Sequence, residues 1–187
     1  MSRLPKATRE IFPEEIKYVW DRMSRDPTAG DGSGMANIFA TMGNNPRLLL
    51  GYLRLGNPLW AHCGLDVATR ELVILRCAYV QNSAYEWHQH VRIGRDAGLS
   101  DAQINGLRNY RESTLFSAPE LALFVYVDAL ASSDHPGDAV FNELKKHFPE
   151  PSTIVGISII IPFYFATAKF LAAMEVETED PFIGWEV

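Results

Sequence analysis

The stretch from Pro151 to Ala168 carries no charged residue and is apolar on nearly every side of a helix. A helix that is apolar all round has to be covered by other elements, so it places a hydrophobic centre in the second half of the chain. Ser152, Thr153, Gly156, Ser158, Pro162 and Thr167 interrupt the run. A membrane span needs about 20 mostly apolar residues, so the segment reads as a buried core helix over about Ser152 to Met174. Pro162 predicts a kink in it, because proline lacks the N–H of the helical ladder.

The rest of the chain reads as helix after helix, with no sustained alternation of apolar and polar residues. The fold class expected is therefore all-α. Pro13 with Glu14 and Glu15 opens a first amphipathic helix ending near Arg22. Residues 27 to 34 form a Gly-rich loop without the Gly-Lys-Ser/Thr ending of a phosphate-binding loop. Helices are predicted from about Met35 to Met42, and from Pro46 to a fade at Gly56-Asn57-Pro58. The next is capped by Asp66 and runs from about Val67 to Val80. Ser83 and Glu86 have capping-box spacing, and the helix they open ends at Gly98; Ser100 with Gln103 and Ser117 with Glu120 repeat the pattern. A further helix spans about Asp138 to His147. The acidic tail from Glu175 to Val187 carries Phe182 and Trp185 and is expected to pack on a partner subunit. The whole chain, 1–187, reads as a single domain of two helical halves, with Tyr110 to Ser117 as the connection.

Composition narrows the class. The 187 residues carry a net charge of −6, and 47% of them are hydrophobic, which excludes general disorder. The acidic balance speaks against a nucleic-acid partner. Cys63 and Cys77 do not make a disulfide framework. The first residues show no apolar signal segment. The expectation is a cytoplasmic protein with no membrane partner.

Charge on apolar faces points to a site. With about 100° per residue, Val67, Leu75 and Ala78 fall within about 40° of Glu71, while Thr69, Arg70, Arg76 and Gln81 point elsewhere. On the next helix His90, Ile93 and Ala97 share the face of Glu86, and His88, Gln89, Arg92, Arg95 and Asp96 form the wet face. Glu86 and His90 are i, i+4 neighbours. Glu71, Glu86 and His90 thus sit on core-facing sides of consecutive helices, where perturbed pKa values and active sites concentrate. Structural roles stand beside this: Glu86 as the arm of a capping box, Glu71 paired with a core arginine, His90 as a satisfied core histidine. A metal reading is weaker. His88 and His90 point about 160° apart and cannot share an ion, and only Glu86 with His90, completed by Glu71, has ligand spacing.

At these residues the sequence resembles the carboxymuconolactone decarboxylase family, which includes the alkylhydroperoxidase D proteins. The resembling segments are Arg70-Glu71-Leu72-Val73-Ile74-Leu75, then Tyr85-Glu86-Trp87-His88-Gln89-His90, then Ala97-Gly98-Leu99-Ser100, with Asn44-Asn45-Pro46-Arg47 upstream. The likeness is good over about 36–107 and loose over the second half, 117–187. It implies an alkylhydroperoxidase D-like helical bundle that forms homo-oligomers. In the peroxidase branch a Cys-x-x-Cys opens the second helix, with a histidine four residues on and an acid upstream. Those positions are here Ser83, Glu86, His90 and Glu71, so the acid and the histidine carry over and both thiols do not. Serine and glutamate supply no thiolate. The Tyr-Glu-Trp form looks instead like the decarboxylase branch.

What this implies is a cofactor-independent acid–base enzyme for a small-molecule substrate, a carboxylated lactone or related unsaturated acid, acting by decarboxylation or proton transfer. Glu71, Glu86 and His90 are the expected catalytic residues, with Ser83 and Tyr85 as substrate donors and no metal. Two nearby carboxylates would repel, so one of Glu71 and Glu86 is expected to stay protonated, and His90 would orient Glu86 or hold an enolate. The alternatives are a non-catalytic ligand-binding or assembly protein of the same fold, and a thiol peroxidase using Cys77.

Overall fold

A computed structural model describes residues 2–24, 34–133, 135–179 and 181–187. Among the described residues there are nine α-helices and no strand. In chain order they are α1 (Lys17–Met23), α2 (Asn37–Met42), α3 (Pro46–His62), α4 (Val67–Val80), α5 (Ala84–Asp96), α6 (Asp101–Gly106), α7 (Ala118–Ser132), α8 (Asp138–His147) and α9 (Pro151–Met174). The loop expected at 27 to 34 lies outside the described residues except for Gly34.

Local chemistry sets most boundaries. The Asp66 side chain accepts from the Thr69 N–H and caps α4. Ser100 and Gln103 close a reciprocal capping box on α6, and Glu120 accepts from both the N–H and the hydroxyl of Ser117 on α7. Gly98, at φ +94°, turns the chain out of α5 in a conformation that glycine adopts without strain.

Three expectations need correcting. First, α3 does not fade at Pro58 but continues to His62. Pro58 and Arg54 lie on the exposed side, where the carbonyl that proline leaves unbonded can be hydrated. The last turn is held by burial of Leu59 and by the Trp60 indole N–H, which donates to the Tyr164 hydroxyl on α9 at 2.7 Å. Second, α9 is not the most enclosed helix. Its inner face, with Ile157, Ile160, Ile161 and Tyr164, is in the core, but Val155 is 56% exposed and Ile159 40%. It runs as one helix across Pro162, which is itself exposed. By length and composition alone α9 could cross a membrane. The central helix is α4, buried from Arg70 to Ala78 and packed against α5, α7 and α9. Gly156 lets α9 press on the end of α3: a Cβ there would lie 2.3 Å from the Cys63 carbonyl oxygen.

Third, His88 does not face water, because the tail packs over it on the same chain. The Trp87 indole N–H donates to the Gly184 carbonyl at 3.1 Å, and the rings of Trp185 and Trp87 are 5.3 Å apart. Phe182 stacks on His88 at 5.6 Å, and the Ile183 N–H donates to His88 Nδ1 at 2.9 Å. His88 is therefore fully buried rather than on a wet face. Burial, with help from Arg92, holds its pKa below the ordinary histidine value.

Candidate active site

Three helices and the end of a fourth enclose a cavity of about 370 Å³. α3 contributes Tyr52 and Trp60, α5 contributes Glu86 and His90, α9 contributes Phe163, Tyr164 and Thr167, and Ile38 and Phe39 come from α2. α4 reaches the site from behind through Glu71.

The α4 side is fully partnered. Glu71 has no exposed surface. Its Oε1 accepts from Arg70 Nε at 3.0 Å and from a terminal guanidinium nitrogen at 2.8 Å. Its Oε2 lies 2.6 Å from His90 Nδ1. The same arginine donates to the Trp60 carbonyl and rests 4.6 Å from the centre of the Trp60 ring. Arg70, placed on another face by the helical wheel, reaches Glu71 because its long side chain folds back along the helix. With Glu71 as the acceptor, Nδ1 carries a proton, so in the neutral imidazole it is Nε2 that keeps the lone pair. The imidazole is held between Trp60 at 5.9 Å and Tyr164 at 5.1 Å, and it lines the cavity.

The α5 side is the reverse. Glu86 is 3% exposed, and neither carboxyl oxygen has a hydrogen-bond partner among the described residues. Burial pushes its carboxyl up to about 8, against a downward pull from the neighbouring Ser83 hydroxyl. The cause differs from the expected one: desolvation, not repulsion by Glu71, keeps Glu86 protonated. His90 orients on Glu71 rather than on Glu86. The capping box at Ser83 is not made, and its hydroxyl is buried without a partner.

The two expected substrate donors fare differently. Ser83 is not part of the cavity wall. Tyr85 is, but its hydroxyl accepts from the Ile38 N–H at 3.1 Å and donates to Glu179 of the tail at 2.8 Å, so it is committed to the protein. Among the wall residues that the sequence did not mark as site residues are Tyr52, Trp60 and Thr167. The Tyr52 hydroxyl pairs with Thr167 Oγ1 at 2.9 Å, and burial pushes its pKa up to about 12. The Asn57-Pro58 signal masked the end of α3, and with it Trp60.

A metal and a thiol have little to use here. Both oxygens of Glu71 are engaged, and no group of three His, Cys, Asp or Glu side chains among the described residues is arranged to hold an ion. Cys63 and Cys77 are free and buried, and burial drives the Cys77 thiol well above its usual range, away from the reactive thiolate.

This bundle, with a buried Glu–His pair opening on a cavity between its helices, has an alkylhydroperoxidase D-like all-helical fold. Residues 46–129 match the sequence profile of the carboxymuconolactone decarboxylase family. Among solved structures it is similar to an uncharacterized peroxidase-related protein from Ralstonia eutropha JMP134 with an alkylhydroperoxidase AhpD core. There the TM-score is 0.80 at 18% identity, over 100% of this chain and 97% of that one. An Agrobacterium tumefaciens protein of unknown function, proposed as an AhpD-type antioxidant defence protein, gives 0.70 at 25% identity, over 74% of this chain and 95% of that one. The debrominase Bmp8, in complex with 2,3,4-tribromopyrrole, gives 0.71 at 18% identity, over 78% of each chain. No curated protein matches.

Proposed function

We propose that this protein is a cofactor-independent acid–base enzyme that moves a proton to or from carbon next to a carbonyl group. One observation carries the reading: a buried Glu86 carboxyl with no hydrogen-bond partner among the described residues and a Glu71-backed His90 line the same cavity. Burial favours the acid form of Glu86, and the contact with Glu71 orients His90 as a base.

In an unsaturated lactone, His90 Nε2 takes the proton from the carbon beside the carbonyl. The charge that appears on the imidazole is stabilised by Glu71, itself held by Arg70. The electron pair moves into a dienolate, whose oxygen receives a hydrogen bond from the Glu86 carboxyl. Return of the proton to the far end of the dienolate completes an isomerisation. In decarboxylation, the activity in the family's name, loss of carbon dioxide leaves the same dienolate and Glu86 returns the proton to carbon. Against a thiol peroxidase stands the burial of both cysteines.

The test follows α-angelica lactone turning into its β isomer in deuterated buffer by proton NMR, with carbon dioxide release from γ-carboxymuconolactone measured in parallel. Turnover of either compound, lost in Glu86→Gln and in His90→Ala, supports the reading. No turnover of either by folded protein overturns it and leaves a ligand-binding protein of the same fold.

A further inference from the structure

The cavity that carries the acid–base pair also has a charge pattern. Tyr52 and Phe163 stack at 4.7 Å, and Phe163 meets Tyr164 edge-on at 5.6 Å, so one wall is built of aromatic rings. Trp60 and Phe39 add two more aromatic side chains. The ionisable groups in the lining are Glu86, His90 and tyrosines, and no Lys or Arg is among the described residues that line it. Arg70, behind the site on α4, is spent on Glu71 and the Trp60 carbonyl.

A substrate carboxylate entering this space would lose its hydration and, among the described residues that line it, find no Lys or Arg and only His90, already engaged by Glu71, to replace that hydration. A buried anion without a partner is strongly disfavoured. It would also face the unpartnered oxygens of Glu86, and ionisation of Glu86 would then put two negative charges in one small apolar space. An uncharged ring meets none of these costs. Its faces pack on the aromatic wall, and one carbonyl oxygen can accept from the Glu86 carboxyl.

Resting on the acid–base reading above, we infer that the substrate of this site is an uncharged, flat ring compound with a single carbonyl acceptor, a neutral lactone or cyclic enone, rather than a carboxylate. Isomerisation, not decarboxylation, is then the reaction that suits the cavity, because decarboxylation would require the carboxylate that the walls reject.

The test is a matched pair of ligands, coumarin and coumarin-3-carboxylate, titrated into the full-length protein by calorimetry at pH 7. They share the flat lactone ring and differ by one carboxylate. Coumarin is expected to bind at least about tenfold more tightly. Phe163→Leu, which keeps an apolar side chain but removes the ring, is expected to weaken coumarin about fivefold, within the range of an aromatic contact. Tyr52→Leu serves as the second variant if the first fails to fold. Equal or tighter binding of the carboxylate overturns the inference, as does no binding of coumarin. Because binding needs no turnover, the two readings fail separately. Tight coumarin binding with no lactone isomerisation leaves the ligand class standing and the acid–base role broken, whereas turnover with preferred carboxylate binding does the opposite.

Discussion

The two sides of the cavity handle a buried glutamate in opposite ways. On α4, Glu71 accepts three hydrogen bonds from Arg70 and His90 and is part of a buried ion pair. On α5, Glu86 is nearly as deeply buried and has none. A charge in the interior survives only when it is paired and hydrogen-bonded, and an unpaired carboxyl keeps its proton instead. In the proposed reaction this difference separates the roles: the α4 side would support a base through His90, and the α5 side would hold the acid. On the acid–base reading proposed above, the contrast favours Glu86 as the proton donor, a choice the sequence left open between the two glutamates.

The largest expected effect that could break this division is on turnover. Glu86→Gln and His90→Ala should each lower the isomerisation rate by about 10²–10⁴, the usual worth of a general acid or base. In the wild type the rate should fall above about pH 8, where Glu86 gives up its proton. A stopped assay with either variant at full rate would end the assignment.

Stability should separate the two glutamates by sign. Glu71→Gln leaves the Arg70 guanidinium buried with a neutral partner, and breaking such a pair costs about 3–5 kcal/mol. Urea unfolding at pH 7 reads this directly. Glu86→Gln should stabilise. The native state holds the Glu86 proton up to about pH 8, whereas in the unfolded chain the proton leaves near the ordinary glutamate value of 4.5. Over that window the native state binds more protons, so wild-type stability falls as pH rises from about 4.5 to about 8 and then levels off. At pH 7 the Gln variant should recover up to about 3 kcal/mol. Thermal melts of both proteins across pH 4–9 should therefore diverge upward through neutrality; parallel curves would mean that Glu86 is not held neutral.

The smallest effect sharpens the contrast between a working cap and an idle one. Ser117→Ala should cost about 1 kcal/mol, since it removes a cap on α7 that Glu120 completes. Ser83→Ala should stay within about 0.5 kcal/mol, because that hydroxyl makes no cap bond on α5.

The α5 helix also shows why a face computed from spacing has limits. His88 and His90 were separated correctly by rotation, but both are buried. His90 meets Glu71 from the neighbouring helix, and His88 is covered by Phe182 and Ile183 from a tail almost a hundred residues further on. The angle around a helix says where a side chain points. It does not say what arrives to meet it.

Much of this protein is written locally. The all-α class, the starts of α4, α6 and α7, the turn at Gly98 and the apolar faces carrying Glu71, Glu86 and His90 follow from capping chemistry and helical periodicity, which act over a few residues. The assignment of His90 to Glu71, the isolation of Glu86, the passage of α3 through Pro58 to deliver Trp60, and the folding of the tail over His88 were decided by packing. Each depends on which distant segment displaces water from a given side chain. Hydrogen-bond satisfaction and desolvation are properties of that enclosure and not of the local chain, so the roles of the three residues emerge only once α3, α4, α5 and α9 are assembled.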